Sequence, residues 1–214
     1  MEYAAAVSCA VLAVKYLGTA REPERWLVLA AAAPLGYLLA DLCSGLVHWF
    51  GDTFFEEDTP VLGPLFIAPF REHHRDPLAL TRHSFTELNG SNCLGVAPLL
   101  AAAGLLRDDA AENTLALFGL DVLVSFSLSI ALTNQIHCWA HSEGPPGVVR
   151  WLQRRGLILM PERHGQHHQS GSTSAYCVTT GWMNRLLDDT PLLSLCERAL
   201  RAMGIPRTSE APES

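Results

Sequence analysis

This 214-residue chain is short of charge, with 17% charged residues against 49% hydrophobic ones and a formal net charge of -7. It has no long run of Lys and Arg, which excludes nucleic acid as a natural partner, because phosphate binding needs clustered cations. It also lacks any C-x-x-C pair. Its six cysteines, at positions 9, 43, 93, 138, 177 and 196, are scattered and read as free thiols, not as a disulfide framework or a zinc knuckle. Cys138 adjoins His137 but points to a different helix face. Residues 1 to 47 and 169 to 214 contain no histidine, so all nine fall between His48 and His168.

The chain is rich in long apolar stretches. Four are expected to cross a membrane, at about 3–17, 26–50, 93–106 and 115–133, giving an all-α integral membrane four-helix bundle. Two of them are shorter than the ~20 residues a crossing needs and so call for tilt or helical flanks. Asp41 and Asp121 are the acidic residues within these stretches, and ionisable groups there are costly unless they face a functional interior. If the amino terminus is cytoplasmic, residues 51–92 and 134–204 form a cytoplasmic cap, and every histidine cluster, including His48 at the end of the second stretch, lies on that side. The opposite side then holds Arg21, Arg25 and Arg107, against eleven arginines on the cytoplasmic side, as the positive-inside rule requires. Pro60–Phe70 and Pro145–Met160 read as interfacial, and residues 205–214 as a disordered tail after one lipid-facing domain of 1–204.

The histidines come in clusters: His48 with Asp52, then Glu72-His73-His74 with His83 nearby, then Asn134-x-x-His137-x-x-x-His141, then His164-x-x-His167-His168. Spacings of three and four put imidazoles on one helix face, where they can converge on a cation. Eight or nine exceed what one tetrahedral zinc uses, so two metal ions fit better. No H-E-x-x-H is present, which counts against the usual membrane zinc protease, and no Glu-x-x-His pair of the soluble carboxylate-bridged di-iron bundles occurs either. Imidazole alone does not choose the element. A histidine-rich pair of irons at a bilayer surface is the remaining familiar design, suited to activating dioxygen against a lipid C–H bond.

Six ordered motifs carry a resemblance: Ala40-Asp41-Leu42-Cys43-Ser44-Gly45-Leu46-Val47-His48-Trp49, Pro69-Phe70-Arg71-Glu72-His73-His74-Arg75-Asp76-Pro77, Thr81-Arg82-His83-Ser84-Phe85, Thr133-Asn134-Gln135-Ile136-His137-Cys138-Trp139-Ala140-His141, Arg163-His164-Gly165-Gln166-His167-His168 and Thr179-Thr180-Gly181-Trp182-Met183-Asn184. Over about residues 36 to 190 the chain resembles the plasmanylethanolamine desaturase (CarF/Kua) lipid desaturase family. That resemblance implies a membrane di-iron enzyme that introduces the vinyl-ether double bond of a plasmalogen into the alkyl chain of an ether phospholipid. It implies His48, His73, His74, His137, His141, His164, His167 and His168 as iron ligands. His83 is a ninth candidate, as a ligand or in a supporting or substrate-facing role, since a related plastid desaturase has arginine there. Arg163 stands where the plasmalogen enzymes often place another histidine.

Asp52 and Asn134 are candidates to assist the site, Asp52 by ligating or orienting an imidazole one turn after His48. Glu72, Asp76 and Glu87 are weaker ones. Arg71, Arg75, Arg82 and Arg150 are candidate phosphate contacts. The implied chemistry takes dioxygen and two electrons from NADH or NADPH through a cytochrome b5-like or ferredoxin-like donor. The alternatives are an acyl-lipid desaturase or hydroxylase with the same site and, in another class, a non-catalytic metal- or haem-binding membrane protein. The expected setting is a bacterial inner membrane, or the endoplasmic reticulum in a eukaryote.

Overall fold

A computed structural model of the chain describes residues 1–18 and 23–208, so Arg21 and the tail from 209 lie outside the described residues. The described residues are helical, with no named strand and one isolated antiparallel bridge between Phe54 and Arg207. The helices are α1 (Glu2–Leu17), α2 (Pro23–Thr53), α3 (Ala68–Arg75), α4 (Phe85–Ala110), α5 (Thr114–His141), α6 (Gly147–Arg154), α7 (Pro161–Gln169), α8 (Asn184–Asp188) and α9 (Leu192–Ala202). A π-helical turn, Gly63–Ile67, runs into α3, and a 3-10 turn, Ala79–Arg82, follows it.

Among the described residues three helices are long and apolar enough to cross a membrane: residues Arg25–Thr53 of α2, and the whole of α4 and α5. The first expected crossing forms α1, a helix of 16 residues. The helices outrun the apolar stretches because polar caps extend them. The α4 helix starts at a capping box in which the Ser84 and Glu87 side chains each serve the other's backbone amide, eight residues before Cys93. The α5 helix is capped by Asn113, whose Oδ1 accepts from the amides of Leu115 and Ala116 at 3.0 and 3.1 Å, and it continues through His137 to His141.

The chain divides into two compact units, Met1–Ala40 with His83–Gln135, and Asp41–Arg82 with Ile136–Ser214. In the first, small and branched side chains of α1 (Ala5, Cys9), α4 (Cys93, Val96, Leu100, Ala103) and α5 (Val124, Ala131) share one core. Small residues let the backbones approach: a side-chain carbon at Gly36 would come within 2.5 Å of the Val122 carbonyl, and Ser125 donates its hydroxyl to the Ala33 carbonyl at 2.8 Å. Asp121, a buried acid of this unit, accepts from the Tyr16 hydroxyl at 2.8 Å and lies 3.5 Å from Arg25. A structural pairing therefore accounts for its presence in an apolar helix.

Asp41 does comparable work in the second unit. Its carboxylate accepts four hydrogen bonds, from the Thr180 amide (2.7 Å), the Gly181 amide (3.1 Å), the Thr180 hydroxyl (2.9 Å) and the Met183 amide (3.0 Å). Gly181, at φ +76°, makes the turn that brings these donors together. Asp41 thus pins residues 179–183 to α2. The two stretches read as interfacial become the π-turn with α3, and α6. In α6 Val149 is buried against Ile136, Ala140, Ile158, Leu159 and Val178, while Val148 and Trp151 stay exposed. Of the tail expected to be loose from 205, residues 205–208 are instead tied down: Phe55 donates its amide to Pro206 (3.2 Å), and Thr208 donates its amide to Thr53 (3.0 Å).

Candidate metal centre

Four helices of the second unit bring the histidines together. One turn of α2 places His48 and Asp52 on one face, α3 supplies His73 and His74, the end of α5 supplies His137 and His141, and α7 supplies His164, His167 and His168. Among the described residues two groups form whose ligand atoms lie within 4.8 Å of one another. One is His73, His141, His164 and His168; the other is His48, Asp52, His74 and His167. His137 adjoins the first, its Nε2 2.8 Å from that of His164 and 3.3 Å from that of His141. The groups are neighbours, with the His73 and His74 ring centres 4.1 Å apart and those of His48 and His73 5.3 Å apart.

Hydrogen bonding alone does not explain the first group. The Nε2 of His164 lies 2.8 Å from His137 Nε2, 2.8 Å from His141 Nε2 and 3.0 Å from His168 Nε2. One imidazole nitrogen either donates once or accepts once, so three such contacts cannot all be bonds between neutral rings. The spacing instead suits nitrogens around a cation, since ligands at right angles on a metal–nitrogen bond of ~2.1 Å stand roughly 3 Å apart. The second group has Asp52 among three imidazoles: Oδ1 is 3.1 Å from His74 Nε2, and Oδ2 is 3.5 Å from both His48 Nε2 and His167 Nε2. Among the described residues His48 Nε2, His167 Nε2, His73 Nε2, His164 Nδ1 and Asp52 Oδ2 are buried without a hydrogen-bond partner. Orphaned buried polar atoms are costly, and a cation at each group would satisfy the inward nitrogens of His48, His73 and His167 and the second oxygen of Asp52. The residues present therefore fit a pair of metal ions.

The outer nitrogens are fixed from behind. His48 Nδ1 donates to the Tyr176 carbonyl at 3.0 Å and His167 Nδ1 to the Ser174 carbonyl at 2.7 Å. A carbonyl only accepts, so each Nδ1 carries the proton and each Nε2 turns its lone pair inward. The hydroxyl of Ser172 sits 3.0 Å from His74 Nδ1. These three partners lie in one loop, whose Ser172 (φ +62°) and Ala175 (φ +58°) adopt left-handed backbone. Asp188 holds the loop, with both carboxylate oxygens 3.2 Å from the Ala175 amide. Burial and the neighbouring imidazoles push His73 and His164 well below the usual histidine range and bring His168 to about 4. These rings are therefore neutral at physiological pH, the state that ligation requires.

The remaining candidates are placed elsewhere. His83 belongs to neither group; its side chain is 48% exposed, and its Nδ1 lies 3.9 Å from Glu87. Asn134 donates to the Leu88 carbonyl at 2.7 Å, joining α5 to α4. Glu72 is exposed, Asp76 pairs with Arg82, and Glu87 caps α4. Arg71 is no headgroup contact. It is buried and donates to the Phe55 and Phe54 carbonyls at 2.6 and 3.3 Å, so it braces the turn after α2. Arg75 pairs with Glu57, and Arg150 donates to the Pro145 carbonyl. The loop of Ser172, Ser174 and Tyr176, with its brace Asp188, has no counterpart in the sequence reading, because backbone carbonyls carry no residue-type signal.

Comparison with known proteins agrees with this geometry. Residues 37–208 match the lipid desaturase domain, a span that holds both histidine groups and the loop behind them. The chain is 41% identical to the plasmanylethanolamine desaturase of Myxococcus xanthus, covering 94% of this chain and 71% of that protein. It is 45% identical to mouse plasmanylethanolamine desaturase 1, over 72% of this chain and 58% of the mouse protein. It is 34% identical to the chloroplastic fatty acid desaturase 4 of Arabidopsis thaliana, over 86% of this chain and 56% of that one. No solved structure matches the chain. A domain match across most of the sequence, together with these relatives, establishes that the chain belongs to the lipid desaturase family.

Proposed function

We propose that this chain is a membrane di-iron desaturase that converts the alkyl chain of plasmanylethanolamine to the vinyl ether of plasmenylethanolamine. The observation that supports it best is the pair of adjacent groups of buried imidazoles with Asp52, on a chain 41% identical over 94% of its length to a plasmanylethanolamine desaturase. The eight histidines 48, 73, 74, 137, 141, 164, 167 and 168 and the carboxylate of Asp52 would hold the ions. Bound there, iron would supply the redox change that zinc lacks, so that O2, two electrons and two protons take one hydrogen from each of two adjacent chain carbons, leaving the alkene and two waters.

The protein's own work is positioning. The carbonyls of Tyr176 and Ser174 keep His48 and His167 in the tautomer that points Nε2 inward, and the Ser172 hydroxyl steadies His74. Burial excludes water from the inner faces of His48, His73, His164 and His167. The apolar helices would hold the lipid chain still while its headgroup stays at the charged side. We place the centre on the cytoplasmic face of a four-crossing bundle, in a bacterial inner membrane, with electrons arriving from a cytochrome b5-like or ferredoxin-like donor; the eleven arginines assigned to that side support the orientation.

The likeness to a fatty acid desaturase favours one second reading, desaturation of an acyl chain by the same site. Lipid profiles of cells with and without the protein separate the two. Acid-labile vinyl ethers appearing only with the protein support the first reading. Unchanged plasmanyl lipid beside new acyl unsaturation supports the second.

A further inference from the structure

The proposed reaction needs a place for the rest of a long saturated chain, and the second unit has an apolar groove of about 580 Å3. Its walls come from α2 (Val47, Phe50), the stretch leading into α3 (Leu62, Phe66) and α9 (Ala199, Leu200). Among the described residues no charged, hydroxyl or amide side chain lines it. A ligand that needs hydrogen bonds would lose them there, whereas hydrocarbon loses nothing, and the volume lies in the ~300–1,000 Å3 range of small-molecule sites. Its α2 wall belongs to one of the apolar helices long enough to cross a membrane, so lipid chains are the hydrocarbon at hand.

The groove comes within one ring of the metal centre. Phe66 lines it, Phe70 follows one helical turn later with ring centres 4.8 Å apart, and the Phe70 ring lies 5.6 Å from the imidazole of His48. A single ring therefore stands between the groove wall and a candidate ligand. Gly51 makes room for that ring, because a side-chain carbon there would come 3.0 Å from it. The other end lies against α9, where Ala199 is the smallest lining side chain and Cys196 a half-buried free thiol.

We propose that this groove holds the distal hydrocarbon of the substrate lipid's chain, with the carbons to be desaturated at the metal centre and the remainder turned past Phe70 and Phe66. The proposal rests on the lipid desaturase reading. It adds that α9 and the Leu62–Phe66 wall set the chain length accepted. A bulky side chain at Ala199 leaves room for shorter chains only and does not touch the metal ligands.

The test uses the full chain in phospholipid nanodiscs with a 1-O-alkyl phosphatidylethanolamine bearing a diazirine at the chain terminus. After irradiation, peptide mapping is expected to find the label on residues 62–66 and 196–200. Excess unlabelled alkyl lipid should compete it away, and Ala199→Phe should remove it with metal content unchanged. Label spread evenly over the lipid-facing helices, indifferent to Ala199→Phe, overturns the proposal, as does label on a co-purified helix occupying the groove. Should Ala199→Phe fail to fold, the wild-type groove is blocked instead at Cys196, in a Cys43→Ser background. A hexadecyl methanethiosulfonate should abolish the label while the methyl reagent leaves it; equal effects of the two overturn the proposal. If the groove is labelled but no vinyl ether forms, the site stands and the reaction reading fails. If vinyl ether forms and Ala199→Phe keeps the same chain preference, the reaction reading stands and the groove proposal fails.

Discussion

The carboxylate of Asp52 lies 3.1 Å from Nε2 of His74, and its second oxygen stands 3.5 Å from both His48 and His167. One anion thus serves three imidazoles in the group that has fewer histidines. Asp52→Asn keeps the shape and removes the charge. The expected outcome is about one metal ion per purified chain in place of two, with the group of His73, His141, His164 and His168 still loaded. Full metal content in this variant would contradict the assignment of Asp52 as a ligand.

Asp188 acts at one remove, through the Ala175 amide and the loop that carries the Ser174 and Tyr176 carbonyls. Asp188→Ala is expected to weaken metal binding by ~10–100-fold, the usual loss when a partner behind a ligand is removed. Chelator competition measures this, and the deficit should lie in the ion held by His48 and His167. Equal weakening of both ions would point to general unfolding of the unit.

His83 and Asn134 lie outside both groups, as does His137, which however adjoins the first. His83→Ala, at a half-exposed position, should change stability by no more than about 0.5 kcal/mol and leave two ions bound. Asn134→Ala should cost about 0.5–1.5 kcal/mol from the lost bond to Leu88, again with metal retained. Loss of an ion in either variant, measured by elemental analysis, would return that residue to the site.

The metal-free protein should be acid-sensitive. His168 titrates near 4 in the folded chain against 6.5 for the free side chain, and His73 and His164 are displaced in the same direction. Between those values the unfolded chain binds more protons than the folded one, so stability falls as pH drops from about 7 towards 4. Thermal unfolding in detergent with chelator present should show a falling midpoint across that window. Metal-loaded protein should start from a higher midpoint and lose it as pH falls, because protons compete with the ions for the same imidazoles. A flat profile for the metal-free form would contradict the burial of these rings.

How far the site could be read from sequence depended on the kind of signal. Imidazoles at helical spacing, such as His137 with His141, announce a shared face directly, and Asp52 was legible as the residue one turn after His48. The apolar runs marked the long helices but not their ends, because Ser84 with Glu87 and Asn113 extend them with polar residues. Asp41 and Asp121 looked functional because charge in an apolar helix is costly; Thr180, Gly181, Met183 and Tyr16 remove that cost from far along the chain. The carbonyls of Ser174 and Tyr176 were invisible for a different reason, since every residue has one and only the fold decides where it points. Arg71 likewise has the charge of a headgroup contact but the burial of a brace.

Metal content and lipid product measured on the same preparation test the central claim most directly. Protein purified from membranes without added metal should carry about two irons per chain and, given O2, a reductant and an electron-donor protein, should turn 1-O-alkyl phosphatidylethanolamine into acid-labile vinyl ether, with His168→Ala losing both. One zinc or one haem per chain, with the alkyl lipid recovered unchanged, would contradict it.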